Sequence, residues 1–389
     1  MKVLLVTETL YEGGSQLFVI RLARKLLQVG VNVTVLSLNK VHENRDMMEQ
    51  YEDIPIIRLS LPFLFVIEKI DHYLLRLGID FSLKYFLQRK QIRRRGVHKF
   101  DIIHTHYIQV DWLFASLNKK NKWFKHIVTV HGDYSAHWQK EKLKQGRVWL
   151  NLKSKMQLII DRVDKWVMIA EEQISFFKND INLDKGKWVK IYNGFESTHT
   201  PPIRIKHDHF TVGMISRGVS EKGWELLIKE FVKLPPDCRL LLAGYSDYVD
   251  GLKKKYACVP NIIFAGFQPD PLNFISQLDI MIFPTLLPFE ALPTVITEAL
   301  YCSIPVIATN VGEVEKMITD KETRKMAGYV IDFDGKNLNE VQLYQRMKYF
   351  YDNPEKILEM SITAHEAFKK FNMDKCAKDY LQEYQNLLS

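Results

Sequence analysis

The chain has 389 residues, 47% of them hydrophobic and 26% charged, with a net charge of +8. That length exceeds what one core usually serves, so two domains are expected, and the composition is that of a soluble globular protein. The charge is uneven. Residues 1–200 carry 32 Lys+Arg and 21 Asp+Glu (32 − 21 = +11), and residues 201–389 carry 22 and 25 (22 − 25 = −3), so the basic first half is the part that would meet anions.

The N-terminal MKVLLVT is too short in its apolar run for a signal peptide and reads as a first buried strand. EGGSQ (12–16) follows, with Gly13 and Gly14 allowing close backbone approach to a ligand. It is not GxGxxG, so a dinucleotide fingerprint is absent. LFVIRLARKLLQV has helical spacing, and VNVTVLSLN is a second strand. The most apolar stretch, LSLPFLFVIEKIDHYLLRLG, is broken by Glu68, Lys69, Asp71 and Arg76, short of what a spanning helix needs. Next comes KYFLQRKQIRRRGVHK, seven Lys+Arg from Lys84 to Lys99 with no acid, interleaved with Tyr85, Phe86, Leu87 and Ile92. Just upstream lies the apolar LPFLFVIEKI, and a basic amphipathic helix beside an apolar segment suggests docking on an anionic membrane, through Arg89, Lys90, Arg93, Arg94 and Arg95; a solvated face is the alternative. No nucleic-acid-binding module appears, so nucleic acid is not expected as a partner.

DIIHTHYI, HIVTVHG and WVMIA read as later strands. His104 and His106 look metal-like, but a pair without an acid cluster fits strand side chains better. His131 ends a strand, where a ligand-facing and a core reading are equally open. STHTPPIRIKHDHF is a linker, after which strand–helix alternation restarts with FTVGMIS, CRLLLAG, NIIFAG, LDIMIFP and IPVIAT. The expectation is two α/β domains with parallel sheets facing a central cleft: residues 1–196, a linker at 197–209, and residues 210–372. An amphipathic C-terminal helix, 373–389, has the first domain as its candidate seat. Cys238, Cys258, Cys302 and Cys376 form no CxxC pair and point to a reduced, cytosolic chain.

Two stretches in the second half carry the chemistry. In SRGVSEKGWELL, Arg217 and Lys222 at a strand mouth could clamp a diphosphate, one as a fork and one as a point charge. In PFEALPTVITEALYCSIPVIATNVGE, Pro293 predicts a helix start, with Glu290 before it and Glu298 inside. A helix N-terminus suits an anion such as phosphate, and flanking acids can bind sugar hydroxyls. DFD (332–334) is a nominal metal motif standing alone, and a turn before Gly335 fits better.

Together these residues resemble the retaining nucleotide-sugar glycosyltransferases of family GT4, with the GT-B fold of two Rossmann-like α/β domains. The E-x7-E motif matches Glu290 to Glu298, and Arg-x4-Lys-Gly matches Arg217, Lys222 and Gly223. YNG (192–194) resembles the family's segment at the end of the first domain, and EGG its N-terminal glycine loop. The resemblance implies a first domain for the acceptor and a second for the donor. Arg217 and Lys222 would hold the donor diphosphate. Glu298 would bind ribose. Glu290 would contact the transferred sugar, with the N–H groups of Leu292, Pro293's neighbour Thr294 and their loop assisting. His131 would lie at the reaction centre, and Gly14 would leave room for donor or acceptor. It implies a UDP- or GDP-linked sugar as donor, no metal or other cofactor, and a glycan acceptor; the charge asymmetry of the basic first half suggests that the acceptor is lipid-linked, with a free oligosaccharide as the other form, in bacterial surface polysaccharide assembly. The enzyme would be cytoplasmic and peripheral at the inner face of the membrane. A nucleotide-sugar epimerase on the same fold, or a non-catalytic glycan- or membrane-binding protein, is the alternative. The family often has glycine where this chain has Ala291, Ser303 and Glu313.

Overall fold

The computed structural model describes residues 1–10, 13–40, 49–119, 122–131, 134, 152–197, 208–288 and 290–389. Most of the expected linker therefore lies outside the described residues, as do Glu12 of the glycine loop and the two residues after His131. The chain forms two compact units, Met1–Glu196 joined by Met373–Ser389, and Ser197–Asn372.

The first unit holds β1 (Lys2–Thr7), α1 (Gly14–Gln28), β2 (Asn32–Ser37), β3 (Ile56–Arg58), α2 (Leu64–Arg76), α3 (Leu83–Arg94), β4 (Ile102–Thr105), α4 (Ile108–Leu117), β5 (Lys125–Val130), α5 (Leu152–Arg162), β6 (Lys165–Met168), α6 (Glu171–Asn179) and β7 (Trp188–Lys190). Its sheet runs β3-β2-β1-β4-β5-β6-β7, all parallel. In β1 every residue from Val3 to Thr7 is buried, as expected of a strand covered on both faces by helices. The second unit holds β8 (Thr211–Ile215), α7 (Trp224–Phe231), β9 (Arg239–Ala243), α8 (Asp247–Lys255), β10 (Ile262–Gly266), α9 (Pro271–Ile275), β11 (Ile280–Phe283), α10 (Thr294–Tyr301), β12 (Val306–Thr309), α11 (Val314–Ile318), β13 (Gly328–Ile331), α12 (Glu340–Asp352) and α13 (Pro354–Phe368). Its parallel sheet runs β10-β9-β8-β11-β12-β13. Each sheet reverses its strand order beside its first strand, between β1 and β4 and between β8 and β11. In doubly wound sheets ligands bind beyond the strand C-termini at such switch points.

The C-terminal helix α14 (Met373–Leu388) belongs to the first unit. It buries Met373, Cys376, Ala377, Tyr380 and Tyr384, a one-faced stripe, in the same core as Phe18, Leu22 and Leu26 of α1. Tyr380 bonds Thr129 at 2.8 Å and Tyr384 bonds His104 at 2.7 Å. Gly194 of the YNG segment makes this seat possible, because a Cβ there would lie 2.6 Å from Met373 Sδ and 2.8 Å from Cys376 Cβ.

Two expectations change and one holds. The helix expected from Pro293 begins at Thr294, with Pro293 as its N-cap at φ −64° and ψ 116°. That extended ψ puts the proline outside the helix it introduces. The basic tract does form a helix, but its apolar residues Tyr85 and Ile92 pack into the first unit's core, so that face is not free for a membrane. Arg89 goes with them, stacked over Trp112 at 5.0 Å, whereas Lys90, Arg93, Arg94 and Arg95 are exposed. The DFD motif is a turn: Asp334 Oδ1 accepts the N–H groups of Lys336 (2.8 Å) and Asn337 (2.7 Å) around Gly335 at φ +93°.

Candidate active site

In the second unit the loop after β8 carries Arg217, exposed, and Lys222, buried at the end of a short 3-10 turn, Ser220–Lys222. Trp224 fixes this loop by donating its indole N–H to the Arg217 carbonyl at 3.0 Å. Gly223 has φ +76°, and a Cβ there would collide with the Pro284 carbonyl, so the Lys-Gly step needs glycine for conformation and for space. The loop after β11 is bound to it by the Leu286 N–H on the Glu221 carbonyl, 2.8 Å.

That second loop delivers Glu290, whose carboxylate pairs with the Lys222 ammonium. Lys222 also lies 5.3 Å from the Phe283 ring centroid. The ammonium is thus enclosed by an aromatic face and a carboxylate, which holds a long flexible side chain in one place. Leu292 is half-buried, Pro293 buried and Thr294 exposed, where α10 begins without a side-chain cap. Such an end presents backbone N–H groups and the positive end of the helix dipole. Glu298 follows one turn in, half-buried, and its carbonyl accepts the Cys302 N–H at 3.0 Å.

A third loop supports the second. Gly312 has φ +53°, and a Cβ there would strike the Glu290 carbonyl. Its neighbour Glu313 donates its N–H to the Ala291 carbonyl at 3.1 Å, while its buried carboxylate lies 3.7 Å from Lys316. Glu313 therefore positions Glu290 from behind through its backbone. Trp224, Pro284 and Gly312 carry no charge and went unnoticed in the sequence; the KGW and VGE contexts were the available signals.

In the first unit His131 follows β5. Asn193 Nδ2 lies 3.2 Å from its Nδ1, and its Nε2 lies 3.0 Å from His106 Nδ1. The two imidazoles stack with centroids 5.2 Å apart, and Phe18 of α1 meets the His131 ring edge-on at 5.3 Å. Burial pushes the His131 imidazole down to about 3, so the ring is neutral. His104 is engaged by Tyr384 and, at 2.7 Å, by Thr129. Gly14 is exposed at the first position of α1, and beside it Ser15 bonds Tyr107.

A family model described as Glycosyltransferase Family 4 matches residues 12–199, and one described as Glycosyl transferases group 1 matches residues 196–366. The chain belongs to the family 4 glycosyltransferases. This glycosyltransferase is 23% identical to the uncharacterized glycosyltransferase MJ1178 of Methanocaldococcus jannaschii, over 97% of this chain and 95% of that one. It is 21% identical to the putative teichuronic acid biosynthesis glycosyltransferase TuaC of Bacillus subtilis, over 82% and 83% of the two chains. The solved structure of Anabaena Alr3699/HepE in complex with UDP-glucose shares its fold at a TM-score of 0.73 and 17% identity, covering 99% of this chain and 100% of that one. The two-sheet glycosyltransferase has the GT-B fold.

Proposed function

We propose that this glycosyltransferase moves a hexose, with retained configuration, from a UDP- or GDP-sugar to a lipid-linked glycan in the assembly of a bacterial surface polysaccharide. It would work in the cytoplasm at the inner face of the membrane, without a metal. The observation that carries the reading is the Lys222–Glu290 pair beside the uncapped start of α10, with Arg217 exposed on the same loop as Lys222. Arg217 and Lys222 are the diphosphate ligands, Glu290 reads the transferred sugar with the Leu292–Thr294 backbone, and Glu298 reads ribose. The C1–O bond to the diphosphate breaks as the acceptor hydroxyl forms a new bond to C1 on the same face, and the hydroxyl proton passes to the departing diphosphate. Negative charge grows on that leaving group, where fixed cations and a helix start stabilise it without reorganising. His131 is the reaction-centre residue contributed by the first unit, and Gly14 leaves space for a substrate. HepE's UDP-glucose complex supports the donor class, and TuaC's name supports the polysaccharide pathway.

The test is a panel of UDP- and GDP-sugars, read by thermal shift and by nucleoside diphosphate release. One donor should stabilise the protein and release its diphosphate only when a lipid-linked glycan is added, with chelator present. Lys222→Ala should lower turnover by about 10²–10³. Donor consumed without acceptor would make the enzyme an epimerase, and no stabilisation by any nucleotide sugar would overturn the donor site.

A further inference from the structure

Helix α2 and its flanks leave an unusual surface uncovered. Phe63 is 81% exposed, Phe65 68% and Tyr73 63%, and Val66, Ile70, Leu77, Ile79, Phe81 and Phe86 are exposed with them. Along the helix and its C-cap, Val66, Ile70, Tyr73 and Leu77 recur at intervals of four, three and four, which lines them up on one side. The stripe that faces the protein is a different one: Ile67 is buried and Leu64, Leu74 and Leu75 are half-buried. So α2 has two apolar faces, and the fold uses one.

Phe63 adds an independent sign. It caps α2 with φ +60°, a left-handed conformation that costs a bulky residue and that glycine would adopt freely. A ring held there and left exposed does not serve the stability of the fold.

Among the described residues the acids around this face are engaged by partners within the fold, and most of its cations are not. Glu68 is bound by Lys84 (3.3 Å), which also holds Glu8 (3.1 Å). Asp71 caps α3 through Ser82 Oγ (2.6 Å) and the Leu83 N–H (2.7 Å), and Asp80 pairs with Lys155. The exposed cations Lys69, Arg76, Lys90, Arg93, Arg94 and Arg95 have no carboxylate partner among the described residues. Lys69 lies 4.2 Å over the Phe65 ring and Lys90 4.7 Å over the Phe86 ring, so cations flank exposed aromatic rings. Apolar side chains that enter a bilayer, with lysine and arginine heads at the phosphate level, have this arrangement.

We infer that α2, led by Phe63, lies in the surface of an anionic membrane, with the exposed cations of α2 and α3 on the lipid phosphates. Among the described residues no helix is long and apolar enough to cross a membrane, and a 13-residue helix lying in the interface needs no such length. The Lys84 bridge ties α2 to Glu8, just past the C-terminal end of β1 and on the side of the sheet where the loop to α1 lies. This rests on the lipid-linked acceptor proposed above and says where its lipid meets the enzyme.

The test is flotation of the full-length wild type and the triple variant Phe63→Ser/Phe65→Ser/Tyr73→Ser with vesicles of phosphatidylcholine, with and without phosphatidylglycerol. Wild type should float with the anionic vesicles and be released by salt, and the variant should bind about tenfold or more weakly. Equal flotation of the two proteins, or no binding by wild type, would overturn the inference. So would wild type forming a dimer that the variant does not, with vesicle binding unchanged, since the face would then belong to a second copy. Donor thermal shift on both proteins separates the two claims: a variant that keeps its shift is folded, and a missing shift in wild type defeats the donor reading while leaving vesicle binding to stand or fall by itself.

Discussion

At the residue scale the first unit's histidines act through one another. With the Asn193 amide donating to Nδ1, His131 carries its proton on Nε2 and donates it to His106 Nδ1; the His106 proton then sits on Nε2, which is buried and has no hydrogen-bond partner among the described residues. His106 is therefore a positioning residue for His131. His106→Ala should lower kcat by about 10–100-fold with donor KM little changed, because a ring displaced by an ångström costs about that much. His106→Gln, which keeps an acceptor, should recover part of it; steady-state kinetics on both variants decides. Asp111 is the other titratable group to watch. It is fully buried, bonded by the Tyr134 hydroxyl, and burial pushes its carboxyl up to about 7. A raised acid stabilises the fold while protonated, so this contribution is complete below about pH 4 and is lost as pH rises to 7. Asp111→Asn should match wild type near pH 4 and melt higher than wild type at pH 8.

At the element scale the end of α10 explains a departure from the family pattern. Ser303 has φ +58°, its N–H bonds the Leu300 carbonyl at 3.0 Å, and the Ile304 N–H bonds Ala299 at 2.9 Å. This is the left-handed helix stop that favours glycine, the residue the family often has there. Ser303→Gly should raise stability by about 0.5–1 kcal/mol in urea unfolding. Gly194→Ala should do the reverse to α14. Its methyl meets Met373 and Cys376, so the helix must shift from the core it completes, leaving Thr129 and His104 with weakened partners. A loss of about 2 kcal/mol or more is expected, seen as a lower melting temperature and faster amide exchange in 373–388.

At the scale of the whole molecule the two units should respond differently to acid. The fully buried histidines His104, His106 and His126, and the half-buried His131, all belong to the first unit. Burial lowers all four, His126 and His131 to about 3. A depressed base stabilises the fold while neutral, so this contribution is complete above about pH 6.5 and is lost as pH falls toward 3. Asp111 works in the opposite direction over part of that range, one group against four. Calorimetry near pH 5 should therefore resolve two transitions, with the first unit melting earlier than at pH 7.5. A single unshifted transition would show that the histidines take up protons in the folded chain as readily as in the unfolded one.

The sequence by itself determined the class of the protein. Apolar runs of strand length alternating with helical spacing imposed two parallel sheets, because a strand buried on both faces has no other composition. Arg217, Lys222, Glu290 and Glu298 stood out as candidates for a related reason: charges placed at strand and helix ends need a reason to be there, and their spacing is local. Tertiary structure decided what depends on distance across the chain. The Lys222–Glu290 pair joins loops 68 residues apart, Gly312 and Glu313 support Glu290 through backbone contacts that no side-chain pattern encodes, and Gly194 is read only against α14. The same holds for the basic tract. Composition marked residues 84–99, with the apolar segment just upstream, as the membrane-docking region, but helical spacing does not say which apolar face the core will take. The fold buried that of α3 and left that of α2 uncovered.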